Sequence, residues 1–298
     1  QFTHIFLKQS VELKPDYISM IMPSRWFNGG KGLDDFRASM LSDSHISRIV
    51  DFCDSKYCFP TSDIAGGNLL FNYGIKKYSG NCLMKNVLKN GATFSDMRIL
   101  NEYPVLVSNN RAIHIIRKVL NQKELMLSEV VSSRKPFGLD SSASFDKDGD
   151  IFLRSSKGNG TIRRERINSG LDMLEKYKVI TSKVSFEHAG VPDKDGMMRV
   201  LSVVQVLPKN SACTESYLVN GTFETEDEAM NMAKYLKTKF VRFLLMQMLA
   251  SMNMTKSTYC FVPMQNFTKE WTDEELYAKY SLSDEEIAFI DSMIKPMK

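Results

Sequence analysis

The chain has 298 residues, enough for about two domains of ordinary size. Its 43% hydrophobic and 25% charged content is that of a soluble globular protein. No apolar run reaches the ~18 residues of a membrane span, and the start lacks a basic-then-apolar secretory pattern, so no membrane role is expected. Five scattered cysteines (Cys53, Cys58, Cys82, Cys213, Cys260) suit a reducing cytoplasm better than a disulfide framework. The net charge of +4 names no partner, but its distribution is uneven. Residues 151–183 carry eight Lys/Arg against three acids, and residues 210–298 nine against thirteen. A basic middle beside an acidic tail is expected when one surface faces a polyanion.

In chain order, residues 2–14 have helical spacing: Phe2, Ile5, Phe6, Val11 and Leu13 form the apolar side and Lys8, Gln9, Glu12 and Lys14 point outward. The unbroken apolar run Tyr17–Met22 predicts a parallel strand covered on both faces. It leads through Pro23–Phe27 into Gly29-Gly30-Lys31-Gly32, a mobile loop without Walker spacing. The loop stands at the carboxyl end of a strand, where open α/β sheets place ligands. Leu33–Leu41 predicts a second helix, with Asp34 and Asp35 where the dipole favours acids. Ile46–Phe52 and Asn68–Tyr73 predict two further strands. Helix, strand, helix, strand, loop, strand is one end of a doubly wound sheet. No Gly-rich first βα turn precedes it, so the front of such a sheet is expected to lie outside this chain.

Residues 74–104 read as strands and loops linking two domains, followed by an amphipathic helix over Arg111–Leu120 with Ile113, Ile116, Val119 and Leu120 on one side. From 125 to 222 the pattern turns to short strands. Asp148-Gly149 and Asp195-Gly196 are expected hairpin turns, Val200–Leu207 the clearest strand and Ser216–Val219 another. Thr225-x-x-Glu228 is a capping box opening the longest helix, to about Met252, with Ala229, Ala233, Leu236, Phe240, Phe243 and Leu244 as its buried stripe. Lys234, Lys237, Lys239 and Arg242 occur on it with no acid between them but at spread angles, and read as solvated residues. Thr272-x-x-Glu275 and Ser283-x-x-Glu286 open two short C-terminal helices.

Asp146–Asp150 has the look of a calcium loop, but its glycine comes two positions early and Lys157 fills the slot of the bidentate Glu, so a β-turn is expected. The histidines (His4, His45, His114, His188) show no ligand spacing, and Cys53 and Cys58 lack a second pair, so no metal is assigned. The segment Ser132–Gly138 combines hydroxyls, two cations, a rigid proline and an aromatic, which suits phosphate contacts with groove insertion. Arg163-Arg164-Glu165-Arg166 adds a second cationic cluster.

Five stretches together resemble the adenine-N6 DNA methyltransferases of restriction–modification systems that carry their recognition domain at the C-terminus. They are PDYISMIMPSRWFNGGKGLDDFRASML (from Pro15), CFPTSDIAGGNLLF (58–71), VSSRKPFGL (131–139), the segment 214–245 and the tail 261–297. The resemblance implies a fold of α/β plus α+β type. Residues 1–105 would be the C-terminal part of a Rossmann-like methyltransferase sheet, 106–270 a mixed α+β target recognition domain that binds DNA, and 271–298 a helical tail. It implies S-adenosylmethionine as the methyl donor of the whole enzyme. It also places the cofactor site and the Asn-Pro-Pro-Tyr motif ahead of this chain, which contains no Asn-Pro-Pro. No catalytic residue is therefore expected here, and the chain alone is expected neither to methylate DNA nor to hold the cofactor.

By the same resemblance, Phe71 packs on the flipped-out adenine. An aromatic face there offsets stacking lost when a base leaves the duplex. Where the family reads Ile-Lys between Asp63 and Gly66, this chain has Ile64-Ala65, so the cation of that phosphate contact is missing. Ser133, Arg134, Lys135 and Phe137, then Lys157, Arg163, Arg164 and Arg166, are the expected DNA-facing residues. The implied partners are double-stranded DNA and a restriction endonuclease domain or subunit. The alternative is a stand-alone DNA-specificity module that pairs with a separate catalytic subunit.

Overall fold

The computed structural model describes residues 3–27, 32–52, 56, 59–61, 68–73, 78–88, 90–187, 193–249 and 252–297, with the side chains of 25 and 68–73 excepted. The expectations for Phe2, Gly29–Lys31, Cys53, Cys58, Ile64-Ala65, His188 and the Phe71 side chain lie outside the described residues. The chain divides into two compact units, Gln1–His114 and Ile115–Lys298. Both are mixed α/β: the first is built on one mixed sheet, the second on a small mixed sheet and a small antiparallel one.

In the first unit α1 (Thr3–Glu12) leads to β1 (Ile18–Pro23), α2 (Asp34–Ser42), β2 (Ile46–Phe52) and β3 (Asn68–Tyr73). Then β4 (Cys82–Val87) and β5 (Thr93–Arg98) complete a five-stranded sheet of order β1-β3-β2-β4-β5. Strand β3 is antiparallel to both β1 and β2, so β1 and β2 run the same way with α2 crossing between them. Strand β4 is parallel to β2, and β5 antiparallel to β4.

Three expectations are corrected here. The apolar run of β1 is not a parallel strand covered on both faces. Its ladder partner is the antiparallel β3, and Ser19 and Ile21 point outward while Ile18 and Met22 are buried. An apolar run fixes neither direction nor the number of covered faces. Within 74–104, strands are present as expected, but β4 and β5 extend the sheet of the first unit rather than form a link between domains. In α1 only Leu7 is buried, and Phe6 and Leu13 are exposed.

Helix α2 carries Asp34 and Asp35 in its first turn. Arg37 ties the helix to the end of β1 by donating to the Trp26 carbonyl at 2.8 Å and to Asp34 at 2.9 Å. Trp26, Phe27 and Phe36 join Ile46, Ile49 and Met84 in the core of this unit. That core also encloses a polar chain. Asn86 donates to the Asp51 carboxylate at 3.4 Å and to the Ser108 carbonyl at 2.8 Å, and accepts from the Asn110 amide at 2.9 Å. Asn110 in turn donates to the Met84 carbonyl and accepts from Arg98 at 3.0 Å, and Arg98 also holds the Val107 carbonyl. Asp51 is 4% exposed, and burial pushes its pKa up to about 7, with the Asn86 hydrogen bond pulling slightly the other way.

Helix α3 (Asn110–Leu120) contains the division between the units, and Ile113, Ile115, Ile116 and Val119 are all buried. The second unit holds two three-stranded sheets. One has the order β10-β6-β7, from β6 (Ile151–Ser155), β7 (Gly158–Ile162) and β10 (Ser211–Cys213). The other has the order β11-β8-β9, from β8 (Tyr177–Ser182), β9 (Val204–Leu207) and β11 (Tyr217–Phe223). Leu153, Ile162 and Ala212 from the first sheet and Ile180, Leu207 and Val219 from the second share one core. Helices α4 (Leu171–Leu174), α5 (Glu226–Lys237), α6 (Lys239–Met246), α7 (Asp273–Lys279) and α8 (Asp284–Met293) complete the unit, with α5 packed on β8, β9 and β11.

Local chemistry explains where these elements differ from expectation. The hairpin β6–β7 turns at Ser156-Lys157 with Gly158 at φ +124°, whereas Asp148-Gly149 is a turn ahead of β6. Gly149 is needed for another reason: a Cβ there would sit 2.4 Å from the Ile162 backbone nitrogen. The strand expected from Val200 starts at Val204, since Val200 takes φ +70°, outside the β region. The long helix is two helices, because Thr238 at ψ 151° leaves the helical region and its hydroxyl caps α6 by accepting from the Val241 amide. Thr225 caps α5, but the Glu228 carboxylate accepts from the Thr225 hydroxyl rather than from its amide. The boxes at Thr272–Glu275 and Ser283–Glu286 both close. Arg242, expected to be solvated, is buried and donates to the Arg199 and Lys295 carbonyls. Among the described residues no helix is long and apolar enough to cross a membrane.

Candidate nucleic-acid interface

The segment 131–140 is fixed from below. Ser132 exchanges two hydrogen bonds with Val219 of β11: its amide donates to the Val219 carbonyl at 2.8 Å, and its hydroxyl accepts from the Val219 amide at 2.9 Å. Lys135 and Gly138 take positive φ, so the chain doubles back sharply between them. Phe137 is thereby driven into the core between the two sheets and is 0% exposed. The expectation that Phe137 faces DNA is corrected: its ring is an apolar anchor, and what it positions is the run before it. Ser133 and Arg134 are exposed and Lys135 is partly so.

Both exposed cations of this loop have acidic partners. The Arg134 guanidinium places two nitrogens 2.7 Å from one carboxylate oxygen of Glu215, whose side chain is only 10% exposed. That hydrogen bond holds the Glu215 carboxyl below its usual range. Lys135 pairs with Asp140, whose side chain is 57% exposed.

The second cationic cluster is a 3-10 turn, Arg164–Arg166, following β7. Asp146 organises it by accepting from the Arg163 amide at 2.9 Å and from the Arg166 guanidinium at 2.8 Å, and Arg166 also reaches the Ser144 carbonyl. The Arg163 amide first, and then Arg166, hold the Asp146 carboxyl below its usual range. Asp150 accepts from the Arg164 amide at 3.2 Å. The stretch with calcium-loop looks is thus a clamp on the arginine turn, and among the described residues no group of His, Cys, Asp and Glu could hold a metal. Arg164 reaches Glu175 at 3.2 Å, and the Lys157 ammonium donates to the Ser142 carbonyl.

The two clusters meet. The Asn168 amide donates to the Phe137 carbonyl at 3.4 Å and the Ser169 hydroxyl to the Pro136 carbonyl at 3.0 Å. An open cleft of about 450 Å³ lies between them, lined among others by Asp140, Ser142, Glu165, Arg166 and Asn168. Sequence reasoning found the cations but not Asp146 and Glu215, the acids that aim them. Asp146 stands out in the sequence only as the first residue of the calcium-loop-like stretch, and Glu215 only as an acid between two short strands.

The geometry sorts the cations into two kinds. Arg134 and Arg166 are held on carboxylates shielded by the fold, at 10% and 17% side-chain exposure. Lys135 and Arg164 pair with carboxylates at 57% and 62% exposure. Pairs of the second kind contribute ~0–1 kcal/mol, so a phosphate can take the place of the acid at little cost. Lys178 is a different case: it is buried, and it donates to the Met173, Leu174 and Lys176 carbonyls, where it binds the end of α4. Phe71 stands in β3 opposite Met20 of β1 and Ile49 of β2.

Residues 1–59 match the model of the Eco57I restriction-modification methylase family. A protein of Mycoplasma pneumoniae described as an uncharacterized adenine-specific methylase is 29% identical over 116 residues, 38% of this chain, and the matched part spans 27% of that relative's length. A solved type IIG restriction endonuclease, BpuSI, aligns with 94% of this chain and 44% of its own at 9% identity and a TM-score of 0.37, a superposition too loose to carry an argument. The start of the chain is thus similar to restriction–modification methylases.

Proposed function

We propose that this chain forms part of an adenine-specific DNA methyltransferase of a restriction–modification system. In this reading the first unit is the end of the Rossmann-like methyltransferase sheet, with β3 presenting Phe71 to an extruded adenine. The second unit is the target recognition domain that binds duplex DNA. The observation that carries the reading is where the family match falls: residues 1–59 contain β1, α2 and β2, a crossover joining two strands of one direction. The exposed cations of the second unit support its part, since Lys/Arg on one surface supply the phosphate contacts that set a protein's register on DNA. Ser133, Arg134, Lys135, Lys157, Arg163, Arg164 and Arg166 are the residues proposed to face the duplex.

S-adenosylmethionine would be the methyl donor of the whole enzyme. Among the described residues, the buried polar groups of the first unit do not fit a cradle for it. Asn86, Arg98 and Asn110 spend their hydrogen bonds on one another and on backbone carbonyls, and Asp51 is closed from solvent. No step is derived through the cofactor, and the described residues are assigned DNA binding rather than methyl transfer.

Affinity for duplex DNA as a function of salt tests this. Binding through several phosphates gives a steep fall of log K with log salt, and each lost contact reduces the slope by about one. Arg163→Ala with Arg164→Ala should flatten the slope by about one to two, since the Arg163 guanidinium lies 3.8 Å from the shielded Asp146 carboxylate. A chain whose duplex affinity ignores salt would remove the second unit from DNA recognition.

A further inference from the structure

Glu165 and Asn168 in this surface are polar, exposed and, among the described residues, uncommitted. Glu165 lies between two arginines that are themselves engaged, Arg164 by Glu175 and Arg166 by Asp146, yet among the described residues no cation or amide reaches the Glu165 carboxylate. Asn168, three residues on, is exposed, and its side-chain amide likewise makes no hydrogen bond among the described residues. Three short polar side chains in other turns close on their own backbone. Asn109 accepts from the Arg111 amide at 2.9 Å, Asn266 from the Thr268 amide at 3.0 Å and Asp43 from the His45 amide at 2.9 Å. Glu165 and Asn168 line one cleft.

The backbone that carries them is pinned. Ile167, between them in sequence, is buried, and its amide donates to the Arg164 carbonyl at 3.0 Å. A Cβ on Gly138 would stand 3.0 Å from the Asn168 Cβ, and one on Gly170 only 2.5 Å from the Pro136 carbonyl oxygen. Both glycines are at positive φ, so the approach of the two loops depends on them. The backbone therefore need not rearrange on binding, and only the two side chains have to be ordered.

The charge of Glu165 works against any use of this surface as a plain phosphate clamp. An unpaired carboxylate among cations repels the backbone of every duplex equally, and nothing in the fold uses it. It does match one feature of DNA: a carboxylate accepts from the N4 amine of cytosine in the major groove, as the Asn amide pairs with N6 and N7 of adenine. We propose that Glu165 and Asn168 are specificity-determining residues, Glu165 reading a cytosine and Asn168 an adenine, while Lys157, Arg163 and Arg164 hold phosphates. This deepens, and rests on, the reading of the second unit as a duplex-binding domain.

The 298-residue chain is used to select its preferred sequence from a random duplex pool. Affinities of the variants are then measured at several salt concentrations for that duplex, its single-base changes and random duplex. Asn168→Ala should lose roughly ten- to a hundredfold discrimination at one A·T position, with its salt slope and its affinity for random duplex unchanged. Glu165→Ala should lose discrimination at one C·G position while binding random duplex more tightly, because a repelling charge is gone. Glu165→Gln should change the preference there from cytosine to adenine. Equal losses on all duplexes, with a lowered melting temperature, would make these residues structural and overturn the proposal. Unaltered base preferences in all three variants, or a wild type that binds every duplex alike, overturn it and leave duplex binding standing. A wild type with no salt-dependent duplex binding overturns the reading of the unit itself.

Discussion

The buried polar chain of the first unit and the cationic surface of the second hold their charges in opposite ways. In the first, Asp51, Asn86, Arg98 and Asn110 are inside, joined in one chain of hydrogen bonds that ties β2, β4 and the start of α3 together. On the surface of the second, Arg134, Lys135, Lys157, Arg164 and Arg166 each rest on an acid or carbonyl of a neighbouring loop. An inward network gives up exchangeability for register, since a buried donor or acceptor left unmade costs its full desolvation penalty. An outward pair gives up stability for exchangeability. The comparison assigns scaffolding to one set and contact to the other, and it can be broken at named residues.

The largest expected effect is at Asp51. Its pKa in the native state is raised to about 7 from an ordinary 3.8, so below about pH 4 it is protonated folded or unfolded and costs nothing. As pH rises from 4 to 7 the unfolded chain ionises while the native state keeps its proton, and stability falls through that window. The full shift corresponds to at most about 4 kcal/mol. Asp51→Asn keeps the shape of the protonated acid and can still accept from Asn86. It should level the stability of the first unit across this window and exceed the wild type above pH 7. Urea denaturation followed by Trp26, with Trp271→Phe to silence the other tryptophan, measures it. A wild type whose first unit is equally stable at pH 4 and pH 8 would take Asp51 out of the buried set.

Arg98→Ala comes next. It strands the Val107 carbonyl and the Asn110 side chain and opens a void, with a cost of about 3 kcal/mol. The same denaturation experiment reads it, and a loss below about 1 kcal/mol would mean that water replaces the guanidinium easily.

The sequence made different parts of this legible for different reasons. Capping boxes at Thr272 and Ser283 depend on three or four consecutive residues, and they form as read. Strands β2 and β3 stand at the boundaries that their apolar runs mark. Direction, by contrast, is a property of partners: nothing in Ile18–Met22 says that its neighbour is the antiparallel β3. Phe137 and Arg242 show the same limit at single residues. A phenylalanine among cations reads as exposed and an arginine on a helix as solvated, yet the left-handed turn at Lys135 and Gly138 buries the first, and carbonyls some forty and fifty residues away bury the second. The candidate site was legible as charge and illegible as geometry, because the acids that hold Arg134 and Arg166 lie 81 and 20 residues away in sequence.

The smallest effect sharpens the comparison within the second unit. Arg164 and its partner Glu175 are both largely in solvent, so Arg164→Ala should change stability by no more than about 0.5 kcal/mol. Arg134→Ala leaves the Glu215 carboxylate shielded and without its cation, and should cost about 1–2 kcal/mol. On duplex DNA the order should reverse for exchangeability: Arg164 can leave its acid for a phosphate with nothing uncovered behind it, whereas Arg134 can do so only by exposing Glu215 to the same phosphate. Arg164→Ala should therefore reduce the salt slope by about one, and Arg134→Ala by less, with thermal melting and salt-titrated binding measured on the same preparations. If the two substitutions prove equal in both measurements, then shielding of the acid has no bearing on what its cation is free to do, and the division of this surface into fixed and exchangeable charges fails.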